Sequence, residues 1–398
     1  MISRRHPSKS EFIFLMAMTM AIIAFSIDSM LPAMPSIAAE LSPLDPNRAQ
    51  LIITSFMLGM GVGTLFSGPI SDAVGRKPVM LGGAVVYCAG AALAWHAPSM
   101  EVMLAARVLQ GIGGSGPRVV VMAIIRDTYA GRSMARIVSL VMIVFALVPA
   151  LAPTIGAGII HFVGWRGLFP AYIAFAMIAA VWLLIRQPET HAKEKRNPLY
   201  PRTLLRALKE VVSHRTVRIT IAVQMLVFAT MFTTLSSTQM VFDQTFGRGS
   251  EFPFWFAVIA LMSTVGGMIN ATLVVRIGMR RVVVGALTMQ AAMCAFYLFG
   301  ALFDIWSAHA QFYVYLLWVL SIFVMIGLTL GNLNALALEP MGHVAGMAAS
   351  VVSCLATIGG VAIAAPLGLR FDGTAVPLAE GILPCIALAL FLTTRLKD

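Results

Sequence analysis

The chain is punctuated by long apolar runs, each about the length needed for a helix to cross the roughly 30 Å hydrocarbon core of a bilayer. Twelve can be read, over residues 12–38, 49–70, 78–96, 100–125, 135–163, 167–185, 217–242, 252–275, 281–303, 311–335, 344–369 and 376–394. A soluble fold cannot hide so many, because surface area limits how much apolar side chain it can bury. Of the 398 residues 59% are hydrophobic and 11% charged, against about 25% charged in soluble domains. A soluble enzyme, a disulfide scaffold and a disordered chain are therefore excluded. Twelve spans use about 240 residues and leave about 12 per connection, which fits an all-α integral membrane bundle with no large extramembrane domain. The first run follows Arg4, Arg5 and Lys9. It continues past signal-peptide length and eleven others follow, so it reads as a retained helix.

The net charge of +11 is a topology signal here rather than a nucleic-acid footprint. With the N-terminus inside, 22 of the 28 Lys and Arg fall on the inner side and four (Arg48, Arg166, Arg248, Arg370) on the outer. Arg107 and Arg118 are left within the membrane. Both termini then lie in the cytoplasm, and an odd number of spans would spoil the asymmetry. The longest polar stretch divides the chain into an N-terminal six-helix bundle (1–185), a cytoplasmic central loop (186–216) and a C-terminal six-helix bundle (217–398). Within the loop, Pro201–Ser213 carries an apolar stripe (Leu204, Leu205, Leu208, Val212) beside a basic face. That pattern suits a short helix on the inner membrane surface, with a solvated linker as the other reading. The halves look like repeats: Gly68-Pro-Ile-Ser-Asp72-Ala-Val-Gly75-Arg76-Lys77 follows span two, and Val275-Arg276-Ile-Gly278-Met-Arg280-Arg281 follows span eight. The second copy has Val275 where the first has Asp72.

Of the 17 acidic residues only Asp28 lies well inside a span. An embedded carboxylate costs roughly 2.5–3.5 kcal/mol on insertion scales and marks a functional site by default. Burial and a nearby cation act on it in opposite senses, so it can change protonation as its surroundings change. Asp28 is the candidate carrier of a coupling proton, with a structural ion pair as the plainer reading. Helix rise sets Asp28 about 24 Å up from Phe12 and Arg107 about 9 Å below Glu101, the same outer third of the bilayer, so Arg107 is its natural partner. Arg118 lies three turns from Arg107 and about 20° round the axis. It either meets oxygens of a substrate, or snorkels inward or pairs with Asp127. Cys88, Cys294, Cys354 and Cys385 show no paired spacing, no histidine falls at mid-membrane, and no phosphate-binding loop is present. A metal site, a prosthetic group and an ATP motor are not expected.

Six stretches carry a resemblance. Gly68-x-x-x-Asp72-x-x-Gly75-Arg76-Lys77 resembles the loop signature of the major facilitator superfamily. Arg107-Val-Leu-Gln110-Gly111-Ile-Gly113-Gly114 resembles its buried-arginine motif. Pro149-Ala-Leu-Ala152-Pro153-Thr-Ile-Gly156-Ala157 resembles the antiporter motif of drug:proton exporters, with Ala152 and Ala157 in place of two glycines. Asp28-Ser-Met-Leu31-Pro32-Ala-Met-Pro35, Ile125-Arg126-Asp127 and Asn334 to Gly342 resemble the Bcr/CflA subgroup, which exports bicyclomycin and chloramphenicol.

The resemblance implies two six-helix repeats around a central cavity and alternating access. It implies proton coupling at Asp28 and Arg107. It implies an inner gate of Gly68, Asp72, Gly75, Arg76, Lys77, Arg126 and Asp127, and a tight seam at Pro149, Pro153 and Gly156, which Gly158 would share. Expected cavity residues are Asp28, Gln110, Gly111, Arg118, Gln224, Phe228 and Thr238. The activity expected is export of small hydrophobic or moderately polar drugs in exchange for protons, by a monomer in a bacterial inner membrane, with lipid as its surroundings and no nucleic-acid partner. A carrier of a specific metabolite or organic anion is the alternative. A membrane enzyme and a non-transporting receptor are the remaining classes, and one lone carboxylate does not supply an enzyme's chemistry.

Overall fold

The computed structural model describes residues 7–196 and 201–396. Arg4, Arg5 and Lys397 fall outside them, as does the side chain of Leu204. Among the described residues every regular element is helical, as a bilayer core requires of a chain that does not close a barrel. The helices are α1 (Lys9–Asp28), α2 (Met34–Leu41), α3 (Leu51–Val74), α4 (Arg76–Trp95), α5 (Met100–Thr128), α6 (Gly131–Ala146), α7 (Val148–Val163), α8 (Leu168–Arg186), α9 (Pro201–Ser213), α10 (Arg215–Met240), α11 (Phe252–Ile277), α12 (Met279–Leu302), α13 (Ala308–Leu338), α14 (Ala345–Leu369) and α15 (Val376–Thr394). α1 and α2 form the first span, and α6 and α7 form the fifth, interrupted at Leu147 where Pro149 enters the first turn of α7. α13 and α14 run on as one 62-residue apolar stretch. Met341 (φ −110°, ψ 22°) breaks it, so it makes two crossings and the total is twelve.

Two turns are shorter than the sequence suggests. α3 runs to Val74 and α4 starts at Arg76, so the loop between spans two and three is Gly75 alone (φ 109°, ψ 160°). The same device joins α11 to α12 at Gly278 (φ 86°, ψ 157°). Both glycines occupy backbone space that is essentially closed to other residues, and the match in geometry carries the internal repeat down to a single torsion pair. Gly68 and Asp72 are thus helical.

The chain forms two compact units: Met1–Ala33 with Ser55–Leu205, and Met34–Thr54 with Arg206–Asp398. In the first, α5 is the centre. Glycines let backbones touch there: a Cβ on Gly111 would strike the Phe56 carbonyl of α3, and one on Gly113 the Tyr87 amide of α4. In the second, α10 is the buried element and packs on α13, α14 and α15. The short segment 34–54 is held in this unit by polar contacts. Gln50 Nε2 donates to the Gly368 carbonyl (2.9 Å), Ser237 donates to Gln50 Oε1 (2.5 Å), and Asn47 donates to the Phe371 carbonyl (2.7 Å). α9 keeps Leu205 and Val212 exposed, buries Val211, and ties Glu210 to His343 at 2.6 Å.

Candidate functional site

Asp28 is the last residue of α1. Pro32 lies four residues on and has no N–H to give the Asp28 carbonyl, so the helix tightens into a single 3-10 turn at Leu31–Ala33. Asp28 is 6% exposed, and among the described residues no hydrogen bond or ion pair reaches its carboxylate. Arg107 does not pair with it. The guanidinium, fully buried, donates to Gln110 Oε1 (2.6 Å) and to the Ser26 carbonyl (3.1 Å) and lies 4.5 Å from the Phe56 ring centroid. Its hydrogen bonds go to the backbone of α1 two residues before Asp28 and to a side chain of its own helix, away from the carboxylate. Two tyrosines flank the pair: Tyr87 shares a hydrogen bond with Ser26 Oγ, and Tyr172 with Ser29 Oγ at 2.9 Å.

The span-five motif comes to the same place. A Cβ on Gly156 would overlap the carbonyl and Cα of Ser29, so α7 and the end of α1 touch backbone to backbone beside Asp28. Pro153 is buried inside α7, and Ala152 is 1% exposed. Gly158, expected to share the seam, has no neighbour within 4 Å of its Cβ position.

Where α3 turns into α4 in the same unit, Arg76 is a hub. Its side chain is 5% exposed. It is salt-bridged to Asp72, bonded to Asp127 Oδ2 at 3.0 Å, and donates to Ser71 Oγ at 3.0 Å. Lys77 belongs to the cluster differently from expectation: its Nζ donates to the Leu184 and Gln187 carbonyls (2.6 and 2.9 Å) at the end of α8. Arg126 is exposed and takes no part in the hydrogen bonds or ion pairs among the described residues. Sequence reasoning missed Glu189. Its two carboxylate oxygens accept the Arg76 and Lys77 backbone N–H groups (2.9 and 3.0 Å), which caps the first turn of α4 where a helix favours negative charge. Thr190 adds a bond to Asp127 (3.3 Å). A Cβ at Gly75 would lie 2.7 Å from Glu189 Oε2, so a side chain there would have to displace the Glu189 carboxylate.

Most of the expected cavity residues are committed elsewhere. Gln110 holds Arg107, and Gly111 is the contact of α5 with α3. Phe228 stacks on Phe232 (5.4 Å) and fills the space over Gly360. Thr238 bonds back to the Thr234 carbonyl (2.5 Å), the usual way a membrane helix satisfies a hydroxyl. Gln224 is 1% exposed and its Nε2 lacks a partner. Asp127 is taken by Arg76, so Arg118 does not pair with it. Among the described residues no three His, Cys, Asp or Glu side chains gather as a metal-holding group.

A family model described as the Major Facilitator Superfamily matches residues 15–364. A bicyclomycin resistance protein homolog of Haemophilus influenzae is 28% identical, with 97% of this chain and 98% of that one aligned. A chloramphenicol resistance protein of Pseudomonas aeruginosa is 36% identical over 39% of this chain and 37% of its own. Among solved structures, the xylose transporter XylE of E. coli shares the fold with a TM-score of 0.71 at 14% identity, covering 97% of this chain and 98% of that one. With the family match running through eleven of the twelve spans, this chain belongs to the Major Facilitator Superfamily.

Proposed function

We propose that the protein exports small hydrophobic or moderately polar compounds, antibiotics among them, in exchange for protons. The observation that carries this reading is Asp28: a carboxylate at membrane depth, 6% exposed, given no compensating bond, and set beside the backbone contact of Ser29 with Gly156. A buried carboxylate without a partner is held at a cost that protonation removes. In the proposed cycle the ionised form accompanies drug binding from the inner side, and protonation from the outer side accompanies release. Arg107 acts on this cycle by fixing the end of α1 through the Ser26 carbonyl, not by pairing with the acid. The Arg76 hub holds the inner end of the unit closed in one state and parts in the other. The names of the relatives support drugs as cargo, and the Lys and Arg bias over the twelve crossings supports cytoplasmic termini; the proposal takes the protein as a monomer in a bacterial inner membrane, driven by the proton gradient.

The test is accumulation of a neutral amphenicol in cells that overproduce the protein. Energised cells should hold several-fold less than empty-vector cells, and an uncoupler should abolish the difference. Higher accumulation in the producing cells would instead establish uptake, the metabolite-carrier reading.

A further inference from the structure

Arg118 is a cation that the fold leaves without a counter-charge. It lies in α5 directly after Pro117, ten residues and about 15 Å from the helix's inner end at Thr128. It is partly buried, and among the described residues no hydrogen bond, ion pair or ring contact reaches its guanidinium. The acids of its unit are spoken for or distant. Asp72 and Asp127 are on Arg76, Glu11 is on Arg186 and Trp182, and Glu189 is on the first turn of α4. Glu101 is at the far end of α5, and Glu194 is in the exposed central loop. Asp28, the remaining one, makes no bond to it.

The position of Arg118 round α5 is informative. One flank of that sector is packed on α3 through Gly111 and Ser115, the latter bonded to Ser67 at 2.7 Å. The other flank is packed on α1 through Val121 and Ile125, in a core with Leu15 and Met16. Arg118 therefore stands at the seam between two packed helix faces, and its side chain is only partly covered. Desolvating a guanidinium there without a partner is costly, and an arginine cannot shed the cost by losing its proton.

We propose that Arg118 is the anion-recognising group of the transport site and that it takes the carboxylate of an amphipathic organic acid. A carboxylate fits because a planar guanidinium binds it through two parallel hydrogen bonds and because one cation balances one charge. This rests on the export reading above and extends its cargo from neutral compounds to weak acids with an apolar body.

The experiment uses inverted vesicles with an imposed pH gradient and a matched pair of probes, an amphipathic aromatic carboxylic acid and its methyl ester. Wild type should carry both. Arg118→Gln should lower the acid-to-ester selectivity, taken as the ratio of kcat/KM, at least tenfold, chiefly through KM for the acid, and Arg118→Lys should restore part of it. Equal loss of both probes in Arg118→Gln, or an unchanged ratio, overturns the proposal. Wild type that moves the ester but not the acid also overturns it while leaving drug export standing. Wild type that moves neither removes the export reading itself.

Discussion

Asp28 and Glu189 are two carboxylates with opposite situations. Glu189 accepts two backbone N–H bonds in a polar setting and sits by Arg76, whereas Asp28 is denied such bonds. We expect Glu189→Gln to weaken the Arg76 cluster, because a charge-assisted cap becomes a neutral one and leaves both N–H groups more weakly held. The cost is about 1 kcal/mol, readable as a lower unfolding temperature and faster labelling of a cysteine placed at Thr190. Gly156 gives a sharper case. Any side chain there meets the Ser29 backbone, so Gly156→Val should cost about 1–3 kcal/mol through overpacking and slow transport, while Gly158→Val, with open space round it, should leave the unfolding temperature within a degree or two. Asp28 was legible from sequence because it is the one acid deep in an apolar run. Glu189 was not, since an acid in a polar loop gives no sign of what it will fold against. The Asp28–Arg107 pair was misjudged for a definable reason: rise along a helix fixes height, but not which way each side chain faces its neighbours.

Elements follow the same logic at larger spacing. The apolar runs located all twelve crossings, but the break between α6 and α7 at Leu147 emerged only in the structure. What periodicity does not carry is where a helix stops when the next residue reverses the chain, which is why a predicted loop shrank to Gly75 and its repeat partner to Gly278. The two turns share backbone torsions but not surroundings, and that separates two costs. Gly278→Ala should pay the backbone penalty alone, about 1–3 kcal/mol. Gly75→Ala should pay this and also displace Glu189, so its unfolding temperature should fall further and its transport should suffer more. Equal effects at both sites would mean that the Glu189 contact is without weight. α9 is helical, with Leu205 and Val212 exposed beside Arg206 and Lys209, and whether that face lies on a membrane surface is open to test. A fluorophore at Leu205→Cys should blue-shift on reconstitution into vesicles with anionic lipid and return on addition of salt if charge contributes.

At the scale of the molecule, the sequence division at the central loop and the packing of the chain are not the same partition. Residues 34–54 precede most of the N-terminal spans yet pack with the unit that begins at Arg206, and Gln50 is the pin, at 2% exposure with bonds to α10 and to the last turn of α14. Charge counting and repeats could not reveal this, because a glutamine in a short loop has no sequence mark. Gln50→Ala should cost about 1–3 kcal/mol by leaving a buried hydroxyl and a carbonyl unmatched. The central claim, however, concerns Asp28. The direct measurement is drug-evoked proton movement in inverted vesicles, wild type beside Asp28→Asn, at matched protein levels. We expect an amphenicol to evoke proton movement with wild type and none with the variant, which should still insert and elute as a single species. Proton movement of wild-type size in Asp28→Asn would contradict the claim and place the coupling group elsewhere.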